Sequence, residues 1–190
     1  MLRVIGGEFR SRKLKSVPGD HVRPTPDRMR ESLFSILAPV IEDSVFIDAY
    51  AGTGAVGIEA VSRGARKAIL IEKDPRALAV LRDNVDTLKL GARVQIVRGQ
   101  AAKLVRDFPA DILFLDPPYP QESEYEHCLL QATCHKLVIA QHATKFALRE
   151  SYGELRRYRT LRQGDNTLSF FRLAATEFDH QDSSENSGGA

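Results

Sequence analysis

Val45-Phe46-Ile47-Asp48-Ala49-Tyr50-Ala51-Gly52-Thr53-Gly54-Ala55-Val56-Gly57 decides how the rest of this chain is read. Its first three residues are β-branched or aromatic and apolar, which predicts a short buried strand ending at Asp48. Gly52 and Gly54 then predict a tight turn into a helix that ends near Gly64. The pattern repeats downstream. Ala68-Ile69-Leu70-Ile71 predicts a strand ending at Glu72, and Asp74-Pro75 caps a helix with Leu78, Leu81, Val85 and Leu88 inward. Residues 94–97 predict a third strand, 101–108 a short helix, 112–115 a fourth strand, 123–133 a helix and 137–139 a fifth strand. Strands near 154–160 and 167–173 form a closing antiparallel pair around Gly164-Asp165-Asn166. Near-continuous apolar strands separated by helices imply an α/β, Rossmann-like fold, with a mostly parallel sheet of seven strands covered on both faces.

Upstream, residues 2–16 alternate around Gly6-Gly7 and predict a short hairpin. Arg23-Pro24-Thr25-Pro26 is extended, with Thr25 as N-cap and Pro26 opening a helix that runs to about Ala38. Met29, Leu33, Phe34 and Leu37 form its inner face, and Pro39 marks its end. The expected organisation is a basic hairpin arm over 1–24, a main domain over 25–174 and a disordered acidic tail over 175–190. Of 190 residues, 43% are hydrophobic, enough for a sizeable core, and no run approaches the length of a membrane span. The opening residues lack a signal-peptide apolar region, and two cysteines suggest no disulfide scaffold, so a reducing cytoplasm is expected. The net charge of +2 hides an asymmetry: Glu177, Asp179, Asp182 and Glu185 give the segment 175–190 a charge of −4, leaving +6 on the remainder. Arg3, Arg10, Arg12, Lys13, Arg23, Arg28 and Arg30 crowd the first thirty residues, and Arg156-Arg157-Tyr158-Arg159 with Arg162 forms a second basic stretch. Such clusters suit a polyanion.

Asp116-Pro117-Pro118-Tyr119 follows the apolar run 112–115, so it sits where a strand of an open α/β sheet ends and ligands bind. A carboxylate and a neighbouring backbone carbonyl can accept both hydrogens of a planar exocyclic amine. Proline supplies no N–H and stiffens the turn, and Tyr119 offers a face on which a base can stack. An ordinary proline-rich turn is the plain alternative. The opening stretch contains a literal G-x-G-x-x-G, which also fits a dinucleotide site and so a nicotinamide-dependent oxidoreductase. Two features weigh against pyrophosphate there: Asp48 directly precedes the loop, and Tyr50 is bulky for a close phosphate approach. S-adenosylmethionine has the complementary features, namely no phosphate, a cationic amino-acid moiety and a ribose diol that Glu72 can grip. Each of these residues has a structural alternative as well: the glycines as a tight turn, Asp48 as a cap, Glu72 as a surface acid paired with Lys73.

With these residues together, the chain resembles the class I S-adenosylmethionine-dependent methyltransferases, and more closely the RsmD family. Arg3-Val4-Ile5-Gly6-Gly7 resembles that family's hairpin, and Arg23-Pro24-Thr25-Pro26-Asp27-Arg28-Met29-Arg30-Glu31 its R-P-T-x-x-R-x-R-E segment. Tyr50-Ala51-Gly52-Thr53-Gly54 resembles the cofactor loop, Leu115-Asp116-Pro117-Pro118-Tyr119 the catalytic loop, and Gly164-Asp165-Asn166-Thr167-Leu168-Ser169-Phe170 the closing hairpin. The resemblance covers about residues 2–173. It implies transfer of a methyl group from S-adenosylmethionine to guanine N2 in small-subunit (16S) ribosomal RNA, in a subunit or its assembly intermediate, by a monomer. It implies catalytic roles for Asp116, Pro117, Pro118 and Tyr119. It implies cofactor contacts from Asp48, Tyr50, Ala51, Gly52, Gly54, Glu72, Lys73, Gln100 and Ala101. RNA contacts are implied for Arg3, Arg10, Arg12, Lys13, Arg23, Thr25, Arg28 and Arg30. Gln100 and Gln141 stand where the family commonly has acidic residues. Methylation of adenine N6, a nicotinamide oxidoreductase and a non-catalytic RNA-binding module are the competing readings. His127-Cys128 and Cys134-His135 do not have the spacing of a zinc site, and no metal is expected.

Overall fold

The computed structural model describes residues 2–18, 27–118, 122–132 and 136–174. Arg23, Thr25, Pro26, Tyr119, the Cys134-His135 pair and the tail 175–190 lie outside the described residues, so the expectations for them are not addressed by it.

Helix α1 (Asp27–Leu37) is followed by β1 (Val45–Asp48), α2 (Ala55–Ser62), β2 (Lys67–Glu72), α3 (Pro75–Thr87), β3 (Val94–Arg98) and α4 (Ala101–Leu104). After a 3-10 turn over Val105–Asp107 come β4 (Ile112–Leu115), α5 (Glu122–Gln131), β5 (Leu137–Ala143), β6 (Ser151–Tyr152), β7 (Leu155–Gln163) and β8 (Asn166–Leu173). One sheet runs in the order β3-β2-β1-β4-β5-β8-β7-β6. The first five of these strands are mutually parallel and the last three close the sheet antiparallel. The chain winds outward from β1 to β3 and then returns to β4 on the other side of β1. Ligands bind at such a reversal, beyond the carboxyl ends of the strands.

Alternation along the strands divides the core. Phe46, Ala68, Leu70, Phe114, Ile139, Leu168 and Phe170 face α1, α2 and the N-terminal hairpin. Ile47, Ile69, Leu113, Val138 and Phe171 face α4 and α5. Both faces are therefore covered, which is why the central strands are apolar throughout.

Four boundaries differ from the expectation. The sheet has eight strands among the described residues rather than seven, because Ser151–Tyr152 pairs with Leu155 and Arg156 through a turn at Gly153, where φ is 58°. A strand of two residues carries no readable alternation. The α-helix expected over 101–108 ends at Leu104, because Pro109 favours an extended Phe108 (φ −119°, ψ 98°) and the chain tightens before it. Strand β5 continues through Gln141 and His142, which are polar yet buried. Strand β7 runs to Gln163, beyond the expected Thr160.

The hairpin is held by one bridge, Arg3 to Lys13, with Val4 donating to the Arg12 carbonyl at 3.0 Å and Leu14 to that of Leu2 at 3.0 Å. Leu2, Val4 and Leu14 sink into the core against Ile58, Val61 and Leu70. Glu59, fully buried on α2, receives the backbone N–H groups of Ile5 at 2.7 Å and Gly6 at 2.8 Å and the Arg63 Nε at 2.7 Å. Arg30 was expected among the RNA contacts. It is instead fully buried, with Nη2 donating to the Arg3 carbonyl and to Asp27 Oδ1, each at 2.8 Å. The correction follows from helical period: residues 30, 33, 34 and 37 share one face of α1, and that face is the inner one.

Candidate active site

Strands β1 and β4 lie side by side; Asp48 ends the first, and Asp116 directly follows the second. Asp48 is buried, and its Oδ2 accepts the Gly57 N–H at 3.1 Å. Burial pushes its carboxyl up to about 7, helped by the charges of Asp116 and Glu72, while the hydrogen bond from Gly57 pulls the other way. Asp48 thus already occupies an amide near the start of α2, where a dinucleotide fold would place pyrophosphate. The loop between is tight. Ala51 is buried and donates to the Ile71 carbonyl at 2.9 Å. Gly52 and Gly54 have φ of 54° and 86°, and a Cβ on Gly54 would stand 2.4 Å from Leu81 Cδ1.

Glu72 closes the cradle from the end of β2. Its Oε2 accepts the Gly52 N–H at 2.7 Å, and its Oε1 accepts those of Lys73 at 2.7 Å and Asp74 at 2.8 Å. Lys73 is exposed. Tyr50 is half-buried, and its hydroxyl donates to Glu124 Oε2 at 2.7 Å and lies 3.3 Å from the buried Cys128 Sγ. Burial, the thiol and the carboxylate raise the phenol's pKa well above its usual range. The cofactor loop is thereby tied across the cleft to α5. Gln100 is exposed as the N-cap of α4 without a side-chain cap bond, and Ala101 is buried beside it.

Beyond β4, Asp116 is partly exposed, Pro117 buried and Pro118 exposed. Gln141, from the end of β5, donates from Nε2 to Asp116 Oδ2 at 3.0 Å. Its own backbone carbonyl accepts the Tyr125 hydroxyl at 2.6 Å. The next residue, His142, is buried with Nε2 2.9 Å from Ser169 Oγ and Nδ1 3.0 Å from the Ala143 carbonyl, and burial lowers its pKa.

The family model described as Conserved hypothetical protein 95 matches residues 2–172 of this chain. The chain belongs to the RsmD family of methyltransferases. The "Putative rRNA methyltransferase YlbH" of Bacillus subtilis is 32% identical over 164 residues, covering 81% of this chain and 89% of that protein. The ribosomal RNA small subunit methyltransferase D of Escherichia coli is 45% identical over 119 residues, covering 62% of this chain and 60% of that protein's length. Among solved structures, the Escherichia coli protein described as "Putative methyltransferase yhhF" superposes with a TM-score of 0.79 at 33% identity, covering 90% of this chain and 97% of that one.

RsmD-family members use S-adenosylmethionine, and the cradle fits that ligand on its own chemistry. A buried carboxyl poised near neutrality favours a cationic partner. Glu72 keeps lone pairs beyond its three amide bonds, and the phosphate position near the α2 N-terminus is taken by Asp48. The sequence placed Asp48, Tyr50, Ala51, Gly52, Gly54, Glu72, Lys73, Gln100 and Ala101 in this site. The structure sets all of them at the carboxyl ends of β1, β2 and β3 or just after them. Gln141 beside Asp116, Glu124 beneath Tyr50 and Glu59 beneath the hairpin were not anticipated as contacts. Gln141 was visible as a departure from the family pattern. Glu124 and Glu59 carried no signal, since each lies on a helix among ordinary polar residues.

Arg3, Arg10, Arg12 and Lys13 are exposed on the hairpin, with Arg3 3.6 Å from Asp27 in an ion pair. Arg28 is exposed on α1. In the second basic stretch, Arg157 pairs with Glu150, while Arg156, Tyr158, Arg159 and Arg162 are exposed.

Proposed function

We propose that this protein transfers a methyl group from S-adenosylmethionine to the exocyclic N2 of a guanine in small-subunit (16S) ribosomal RNA. The observation that carries this reading is the placement of Asp116-Pro117-Pro118 at the end of β4, next to the Asp48–Glu72 cradle at the chain reversal. The family membership and the rRNA methyltransferases among its relatives support the RNA substrate. S-adenosylmethionine would supply a methyl group on a sulfonium: as the amine nitrogen takes the methyl, a neutral thioether leaves and the nitrogen sheds one of its two protons.

The residues of this chain supply position and charge. Asp116 Oδ1 and a carbonyl of the loop accept the two amine hydrogens, aim the nitrogen lone pair and offset the positive charge that develops on it. Gln141 holds Oδ2 and so sets the plane of the carboxylate. Tyr119 stacks on the base, which must be extruded from its helix or presented in a loop. Asp48 and Glu72 hold the cationic and ribose portions of the donor, and Tyr50 and Gln100 line its site. The exposed cations of the hairpin and Arg28 contact phosphates, an interaction that weakens with salt. The reading takes the protein to act as a monomer in the cytoplasm.

The test is transfer of labelled methyl to unmodified small ribosomal subunits and to naked 16S rRNA, followed by nucleoside analysis. Labelled N2-methylguanosine is expected, falling about 10²–10³-fold in Asp116→Ala with donor binding intact. Labelled N6-methyladenosine would keep the chemistry and replace the base. Absence of label in any RNA, with donor bound, would overturn the reading.

A further inference from the structure

We propose that the α1-side face of the β7–β8 pair is a second RNA-docking surface, flanking the catalytic loop opposite the hairpin arm; this rests on the RNA-methylation reading above. Arg156 and Arg172 stand directly opposite each other across the two strands. Like charges in that position are destabilising in a sheet, and an anion docked on this face would offset them. Arg156 spends part of its guanidinium on the Gly153 and Leu155 carbonyls, which leaves further N–H groups facing outward. Between Arg157 and Arg159 the register shifts, and the extra residue is Tyr158. A bulge of this kind re-aims a side chain. Here it leaves Tyr158 45% exposed, with the Arg172 guanidinium 4.8 Å from its ring centroid and Arg159 held over Phe170 at 5.9 Å. An exposed aromatic set among arginines is the composition of a stacking platform for nucleic acid. Arg157, turned to the other face, is the member of this run that is ion-paired to a carboxylate, Glu150.

Register fixes where this surface lies. Arg159 opposes Phe170, which opposes Ile139, which opposes Phe114, two residues before Asp116. The patch therefore runs from about 7 Å below the catalytic rim at Arg159 to about 13 Å below it at Arg156, three strands away and roughly 14 Å across the sheet. The hairpin rests on the same face but on the β2 side, against Ile58, Val61 and Leu70. A strand of RNA crossing the rim meets cations before and after the target base. One cluster alone would hold the backbone on one side only and leave the extruded base free to swing.

A solubility role is the rival, since β7 has an open edge past Arg156 and edge strands are often charged to prevent pairing with other chains. Two variants separate the two: Arg156→Gln with Arg159→Gln, and Tyr158→Ser. Binding to a fluorescein-labelled 16S rRNA fragment would be followed by anisotropy across a salt series, with methyl transfer and sedimentation alongside. The double variant is expected to lower the log–log salt slope by about 1.5. It should raise the KM for RNA about tenfold, with donor affinity and kcat at saturating RNA unchanged. Tyr158→Ser should weaken RNA binding about fivefold or more while leaving the slope nearly unchanged, the signature of lost stacking. Wild-type RNA affinity and slope in both variants, with or without new self-association, would overturn the proposal. If wild-type protein binds the RNA through this patch and methylates nothing, the surface stands and the methylation reading falls.

Discussion

Asp48 is the residue whose ionisation this fold controls most directly. With its carboxyl near 7 in the folded state against an ordinary 3.8, the folded, ligand-free protein keeps a proton that the unfolded chain releases. The stability this group contributes is therefore full below the ordinary carboxylate range and is lost as pH rises through about 7. A cationic donor reverses the preference by favouring the carboxylate. Affinity for S-adenosylmethionine is predicted to rise by up to about tenfold per pH unit below 7 and to level off above it. Calorimetry between pH 6 and 8 in buffers of different ionisation enthalpy would read both the affinity and the released proton. A flat profile would remove Asp48 as the titrating partner. Gln141 offers the second residue-level prediction. As a neutral donor 3.0 Å from Asp116, it stabilises the ionised carboxylate and fixes its orientation. Gln141→Met keeps the volume and removes the donor, so kcat should fall about tenfold or more with donor affinity unchanged. Gln141→Glu adds a like charge and should move the acid limb of the pH–rate profile upward. Unaltered kcat and pH profile in both would make Gln141 a packing residue. The sequence exposed the acids and the glycines because their chemistry is unusual where they stand. It hid the Gln141 contact, since a pairing between the ends of two strands depends on register, which no local pattern encodes.

Among elements, α2 and its loop are the most constrained. A Cβ at Gly57 would lie 2.0 Å from Leu70 Cδ2 and 3.5 Å from Asp48 Cβ. Gly57→Ala is therefore predicted to destabilise by roughly 1–3 kcal/mol through overpacking, and to weaken donor binding because the amide that Asp48 accepts moves with it. Chemical denaturation and calorimetry on the same variant test the two halves, and an unperturbed melting profile would show that the helix can shift away. The central strands were legible in the sequence because burial on both faces makes them apolar throughout. Strand β5 outruns its apolar stretch because Gln141 and His142 hydrogen-bond inside the sheet, and α4 stops short because Pro109 favours an extended Phe108.

At the scale of the whole molecule, the hairpin is an arm with a seat, and Glu59 is the seat. Removing this carboxylate leaves the Ile5 and Gly6 amides without their acceptor and Arg63 without its partner, so Glu59→Ala should cost about 3 kcal/mol or more. Hydrogen exchange should report the loss first at residues 4–8 while β1 and β4 stay protected; unchanged protection of Ile5 and Gly6 would refute the anchoring. The parallel strands, the helices between them and the closing antiparallel pair followed from the apolar runs and turns, whereas the strand order around the chain reversal is set by three-dimensional packing that no run of residues spells out. The seating of the arm was hidden too, since it joins residues more than fifty positions apart through a glutamate on a helix otherwise read as ordinary. Gly57 and Glu59 are separated by a single residue on α2, so one short rod carries the pocket's amide at one point and the arm's anchor at the next. In a genetic screen, lesions in the arm's seat would then sort with lesions in the donor pocket, and a phenotype scored only by lost cofactor could trace to a residue that never approaches it.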